Sequence, residues 1–224
     1  MKDLGKRIDL HTHSLLSDGA LLPSEALRYA STLDHEALAI TDHVDYSNIE
    51  SVMRKLLLFE KHHAPLLDVR FIPGVEITHA DPRLIPDLAK LARQLGAKLV
   101  VCHGETTAEP VIKGTDHVAV SEKGLIDILA HPGNISEEDA ALAAKNGVHL
   151  ELTSKKAHGK TNRHVAEMAK KTGAKLLVNT DAHRPEDYLT QEKAFRLAKS
   201  CGLKDEEALI AVKNNPLELL GRIK

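Results

Sequence analysis

Seven short runs rich in Ile, Val and Leu recur along the 224 residues, beginning near positions 7, 37, 69, 98, 125, 148 and 175. Spacings of roughly 20 to 33 residues are what a strand and a returning helix need, and runs without polar alternation suit parallel strands covered on both faces. The pattern predicts an α/β barrel of (βα) type in a single domain over residues 1–224. Between the runs, helices are predicted from Pro23 to about Leu33, from a capping-box sequence at Ser47-Asn48-Ile49-Glu50, from about Leu84 to Leu95, and from Ser136 to near Gly147. Others are predicted over 162–172, 190–200 and 205–214, with Asn215-Pro216-Leu217 as cap and first turn of a last short helix. The stretch 104–123 lacks periodicity and follows directly on His103; it is read as a lid over the site.

What closes each run is as informative as the run itself. His11 and His13 follow the first, and residues two apart on a strand face the same side, so both imidazoles can reach one divalent cation. Asp18 lies just beyond. His43, Glu76, His103 and His131 end the next four runs, and Asp181 and His183 repeat the alternate spacing after the last. In parallel α/β folds functional groups gather at the carboxyl ends of the strands, so these nine side chains have a common focus. Glu151 ends the remaining run, where it could orient a ligand histidine, act as acid or base, or serve only the structure. Asp9 and Asp42 flank candidate ligands and could support them in the same way.

With 30 basic and 32 acidic residues, no Trp, three Phe and three Tyr, the chain offers neither a cationic surface nor rings for stacking bases. Long nucleic acid and membranes are disfavoured as partners. The two cysteines, Cys102 and Cys201, show no pairing pattern, and no signal-like or membrane-spanning run is present, so a cytoplasmic location is predicted. His35, His62, His63, His79, His149 and His164 have no place in the pattern and are read as surface or packing residues.

So many imidazole and carboxylate donors exceed what one tetrahedral cation uses, which implies more than one metal. The donor set suits Zn, Mn or Fe, with Mg disfavoured where imidazole dominates, and Glu76 is the choice for a bridging carboxylate. Neighbouring cations serve hydrolysis: one activates water to hydroxide and both steady the attacking and leaving oxygens of a phosphoryl transfer, although amide or lactone cleavage stays open.

Taken together, His11-Thr12-His13 with Asp18-Gly19, Thr41-Asp42-His43, Pro73-Gly74-Val75-Glu76, Cys102-His103-Gly104, Ala130-His131-Pro132-Gly133 and Thr180-Asp181-Ala182-His183 resemble the polymerase and histidinol phosphatase (PHP) family, in order across nearly the whole chain. The resemblance implies a distorted (βα)7 barrel and three metals: one on His11, His13, Glu76 and Asp181, a second on Glu76, His103 and His131, a third on Asp18, His43 and His183. All nine positions hold competent ligands, unlike the degenerate modules of some polymerases. The expected function is a phosphoesterase hydrolysing a small phosphorylated metabolite by metal-activated hydroxide, with Glu76, Asp181 and His183 as the catalytic residues. Phosphate needs further cations, and Lys155, Lys156, His158, Lys160 and Arg163 after the sixth run, with Arg184 after the seventh, supply candidates; Lys156, Arg163 and Arg184 are chosen as substrate-binding. The alternatives are a nucleotide phosphatase or exonuclease on the same site, and a non-catalytic regulatory module that keeps its metals.

Overall fold

The computed structural model describes residues 3–223. Within it, all seven runs are strands, and the second is broken in two: β1 (Arg7–Asp9), β2 (His35–Ile40), β3 (His43–Val44), β4 (Arg70–Ile77), β5 (Leu99–His103), β6 (Ile128–Ala130), β7 (His149–Thr153) and β8 (Leu176–Asn179). They pair in parallel in the order β1-β2-β4-β5-β6-β7-β8, with β3 beside β4 in the register His43↔Glu76. A parallel bridge between Thr12 and Ala182 brings the last strand back to the first, so the sheet nearly closes into a barrel. This is the distorted (βα)7 barrel expected of the sequence.

Strand alternation sorts the side chains into two layers. Ala37 and Ala39 of β2, Leu99 and Val101 of β5, and Ile72, Ile128 and Leu177 fill the interior, where Leu219, Leu220 and Ile223 of the C-terminal helix join them. Leu38, Ile40, Val100, Cys102, Leu150 and Leu152 have the opposite phase and pack under the helices. Each buried Leu or Val contributes about 1.5–3 kcal/mol. The inward series Leu99, Val101, His103 and Ile72, Gly74, Glu76 show how polar groups reach the barrel mouth: each continues an apolar phase by one more residue.

The outer helices are α1 (Pro23–Thr32), α2 (Ile49–His62), α3 (Ile85–Gln94), α4 (Thr115–Ser121), α5 (Glu137–Asn146), α6 (Asn162–Thr172), α7 (Gln191–Ser200), α8 (Asp205–Leu209) and α9 (Asn215–Arg222). Ser136 caps α5 by accepting from Asp139 N–H, and Gly147 ends it at φ 77°, a left-handed conformation that suits glycine. Two expectations are corrected. The capping box at Ser47 does not form, because Asp45 takes both the amide and the hydroxyl of Ser47 while its own amide donates to Asn48 Oδ1. Asn215 is the first residue of α9 but not its cap: a π-turn over Ile210–Asn214 carries α8 into α9 without a break, and the Asn215 side chain donates instead to Leu176 O. The stretch 104–123 contains α4, whose Asp116 carboxylate accepts from Glu105 N–H at 2.8 Å. No helix among the described residues is long and apolar enough to cross a membrane.

Candidate metal centre

The chain beyond β1 is stitched into the barrel mouth by its backbone. His13 N–H donates to Ala182 O, Asp181 N–H to His11 O and Thr41 N–H to Thr12 O, at 2.8–3.0 Å. Buried carboxylates fix the same loops from behind. Asp42 accepts from the amide and hydroxyl of Ser14, both at 2.7 Å, and Asp9 accepts from the amide and hydroxyl of Thr180. Asp9 and Asp42 thus hold the backbone that carries the ligands rather than the ligand rings.

Glu151 holds a ring directly. Its neighbours Leu150 and Leu152 belong to the outer layer, so it points inward, where Oε2 accepts from His11 Nδ1 at 2.7 Å and from Asn179 Nδ2 at 3.0 Å. With the proton fixed on Nδ1, His11 turns Nε2 to the centre.

At that centre His11 Nε2 and His13 Nε2 lie 3.1 Å apart. Asp181 Oδ1 is 3.9 and 3.3 Å from them, and Glu76 oxygens are 3.4 and 3.6 Å away. A tetrahedral cation with bonds of about 2.1 Å has ligand-to-ligand edges of about 3.4 Å, so these four side chains fit one. Glu76 is shared further: Oε1 lies 3.7 Å from His131 Nε2 and Oε2 lies 2.8 Å from His43 Nδ1. Asp18 meets His43 Nε2 at 3.5 Å and His183 Nε2 at 3.1 Å. Among the groups of donors whose ligand atoms lie within 4.8 Å of one another are His11-His13-Glu76, Glu76-His103-His131 and His13-Asp18-His43-His183, with His11-His131-Glu151 behind them and His79-His103-Glu109 at the rim.

The carboxylates draw positive charge into these positions: against burial, which lowers both, Glu151 and Glu76 hold His11 well above the ordinary histidine value and Glu76 raises His43 to about 9. Burial and the imidazole of His43 hold His13 well below the ordinary histidine value, and burial with His103 does the same to His131. Neutral imidazole is the ligating form. Burial raises the Asp181 carboxyl to about 6 although His11 pulls it down. Burial would also raise Glu76, yet the charges of His11 and His43 outweigh it and leave the carboxyl well below its usual range. Glu76 Oε1 is nonetheless buried without a hydrogen-bond donor, an arrangement that calls for a positive partner. His131 and Asp181 hold left-handed backbone at φ 28° and 52°, a strain of about 1–3 kcal/mol each that the surrounding bonds must sustain.

Of the substrate-binding candidates, Lys156 and Arg184 are exposed and Arg163 lines a separate groove with Cys201 beyond α6. The choice of Arg163 is corrected: as the second residue of α6 it points away from the barrel mouth. The cation at the site is Lys155, whose Nζ lies 2.7 Å from His183 Nδ1 and donates to Asp181 O. Its position one residue earlier in the basic loop could not be separated from that of Lys156 by composition. His158 also reaches the site, stacked on His131 with ring centroids 4.4 Å apart, and His79 meets Glu109 at its rim. Glu109 left no signal beyond its place six residues after His103. Lys155, His158 and Glu109, with His103, His131 and His183, line a cavity of about 200 Å³ at the strand ends.

A parallel barrel with histidines and carboxylates gathered at its carboxyl rim is the arrangement of the PHP domain family, whose sequence profile matches residues 9–158; the chain belongs to that family. An uncharacterized protein of Methanocaldococcus jannaschii is 43% identical over 97% of this chain and 100% of its own length. A probable phosphatase of Thermoanaerobacter sp. (strain X514) is 25% identical over 90% of this chain and 89% of its own. Among solved structures, histidinol phosphate phosphatase from Lactococcus lactis, complexed with zinc, L-histidinol and phosphate, superposes with a TM-score of 0.65 at 16% identity, covering 89% of this chain and 95% of that one. That likeness is one of fold.

Proposed function

We propose that this protein is a metal-dependent phosphatase acting on a small phosphomonoester. Three divalent cations would be held by His11, His13, Glu76 and Asp181, by Glu76, His103 and His131, and by Asp18, His43 and His183. The observation that carries the reading is the gathering of these nine side chains from six separate strand ends at one barrel mouth, where His11, His13, His43 and His131 meet the two oxygens of Glu76. Such cations supply Lewis-acid activation of water and neutralise phosphate oxygens. Zn, Mn or Fe suit the donors.

The chain's own groups do the rest. Lys155 brings a positive charge to the cavity wall beside His183, where it binds a phosphate oxygen. Glu151 keeps His11 in the ligating tautomer, and Glu76 and Asp181 fix the relative places of the reacting oxygens. The cavity's small volume and the acidic side chains of Asp18 and Glu109 on its wall favour a compact monoester over a polynucleotide. A probable phosphatase among the relatives and a fold shared with a histidinol phosphate phosphatase agree with this.

The test is phosphate release from histidinol phosphate, several nucleotides and an aryl phosphate, after loading with Zn, Mn or Fe and beside a chelated control. Metal-dependent release strongest on one small monoester is expected. Silence across the panel with metals bound overturns the assignment.

A further inference from the structure

As grouped above, the position formed by Glu76, His103 and His131 has three protein ligands where the first has four. His103 donates from Nδ1 to Gly104 O at 3.1 Å, which leaves Nε2 as its one atom for a cation. That atom faces Glu109 Oε2 at 3.2 Å, close to the edge of about 3.4 Å between two ligands of one cation. A neutral ring with its proton on Nδ1 therefore offers a lone pair on Nε2 beside Glu109 Oε2, and both atoms can reach one cation at that edge.

Glu109 is held there from several sides. Its Oε2 lies 3.0 Å from His79 Nε2 and its Oε1 lies 3.4 Å from His158 Nε2. The loop that carries it is fastened by Glu105 Oε1, which accepts from Gly114 N–H at 2.7 Å, and by the 2.7 Å contact of Thr106 Oγ1 with His158 Nδ1. His79 adopts φ 52° to present its ring.

The geometry points to Glu109 as a tenth ligand, completing the position of Glu76, His103 and His131 from the loop after β5, with His79 and His158 as residues that position its carboxylate. The inference rests on the multinuclear reading above and adds that filling this position fastens residues 104–114 across the mouth of the site. Release of the cation and opening of the loop are then one event.

The experiment measures metal retention, without substrate. Zinc-loaded protein is dialysed against graded chelator and its zinc counted by mass spectrometry, for the wild type, Glu109→Gln, His131→Gln and His79→Ala. Glu109→Gln is expected to release one equivalent at 10- to 100-fold lower chelator, as His131→Gln does, while His79→Ala shifts the curve by a few-fold at most. Proteolysis within 104–114 should become faster in Glu109→Gln at full zinc. A Glu109→Gln curve that superposes on the wild type overturns the inference, as does a His131→Gln protein that retains zinc as the wild type does. Loss of an equivalent from His79→Ala as readily as from Glu109→Gln also overturns it, in favour of a separate outer cation. A protein that binds zinc in this way yet cleaves no phosphate ester leaves the ligand role standing and refutes only the phosphatase.

Discussion

Several candidate ligands are aimed by a neighbour, His11 by Glu151, His43 by Thr78 and His103 by Gly104 O, so single substitutions separate the atom that binds from the atom that aims. His11→Ala or Asp181→Ala removes a donor from the four-ligand position, and phosphate release should fall by about a thousandfold or more with the circular dichroism spectrum unchanged. Activity retained in either variant, with metals verified, would sink the assignment. Glu151→Gln is milder. The amide still meets Asn179 but no longer fixes the His11 proton as an anion does, and metal affinity should drop about 10- to 100-fold in a competition titration. Most of the nine ligand candidates were legible because they continue or close an apolar run, whereas Asp18, in a turn beyond His13, was legible only through the resemblance. Glu109 was not, since a loop has no period to betray which way a side chain turns, and the choice between Lys155 and Lys156 depends on one residue of phase in an irregular segment.

At the scale of elements, the strands were readable as apolar runs because the barrel buries both of their faces, while caps were less so. Ser136 caps α5 as its sequence suggests, but the Ser47 box yields to an Asp45 turn that the same residue types permit equally well. Helix 205–222 passes through a π-turn where a break at Asn215-Pro216 was expected, because Pro needs no amide partner there. Two strand-start histidines, read only as surface or packing, are buried and carry a pH dependence. Burial holds both His35 and His149 at about 4, helped in His35 by Arg7 and opposed in His149 by its bond to Asp127 O. An unfolded histidine titrates near 6.5, so the unfolded chain takes the proton first; the stability is full above that value and is lost as pH falls toward 4. From pH 7 to pH 5 each costs about 2 kcal/mol. Denaturant unfolding should show a pH-dependent loss smaller by about that amount in His149→Leu, and an unchanged loss would refute the assignment.

For the whole molecule, cations bound only by the folded state must stabilise it. At free zinc about 100 times Kd, one site adds about 3 kcal/mol and raises Tm by roughly 5–10 °C for a chain of this size. Chelation should therefore lower Tm while leaving the far-ultraviolet spectrum native, because the barrel's apolar interior and sheath do not involve the ligands. A chain unfolded by chelator at room temperature would show that the metals build the fold. The cage is shaped by bonds internal to the polypeptide: Glu151 on His11, Asp42 on Ser14, Asp9 on Thr180. Its dimensions are thus set before any ion arrives, so an ion is admitted by how well its preferred geometry fits donors already in place as well as by its supply.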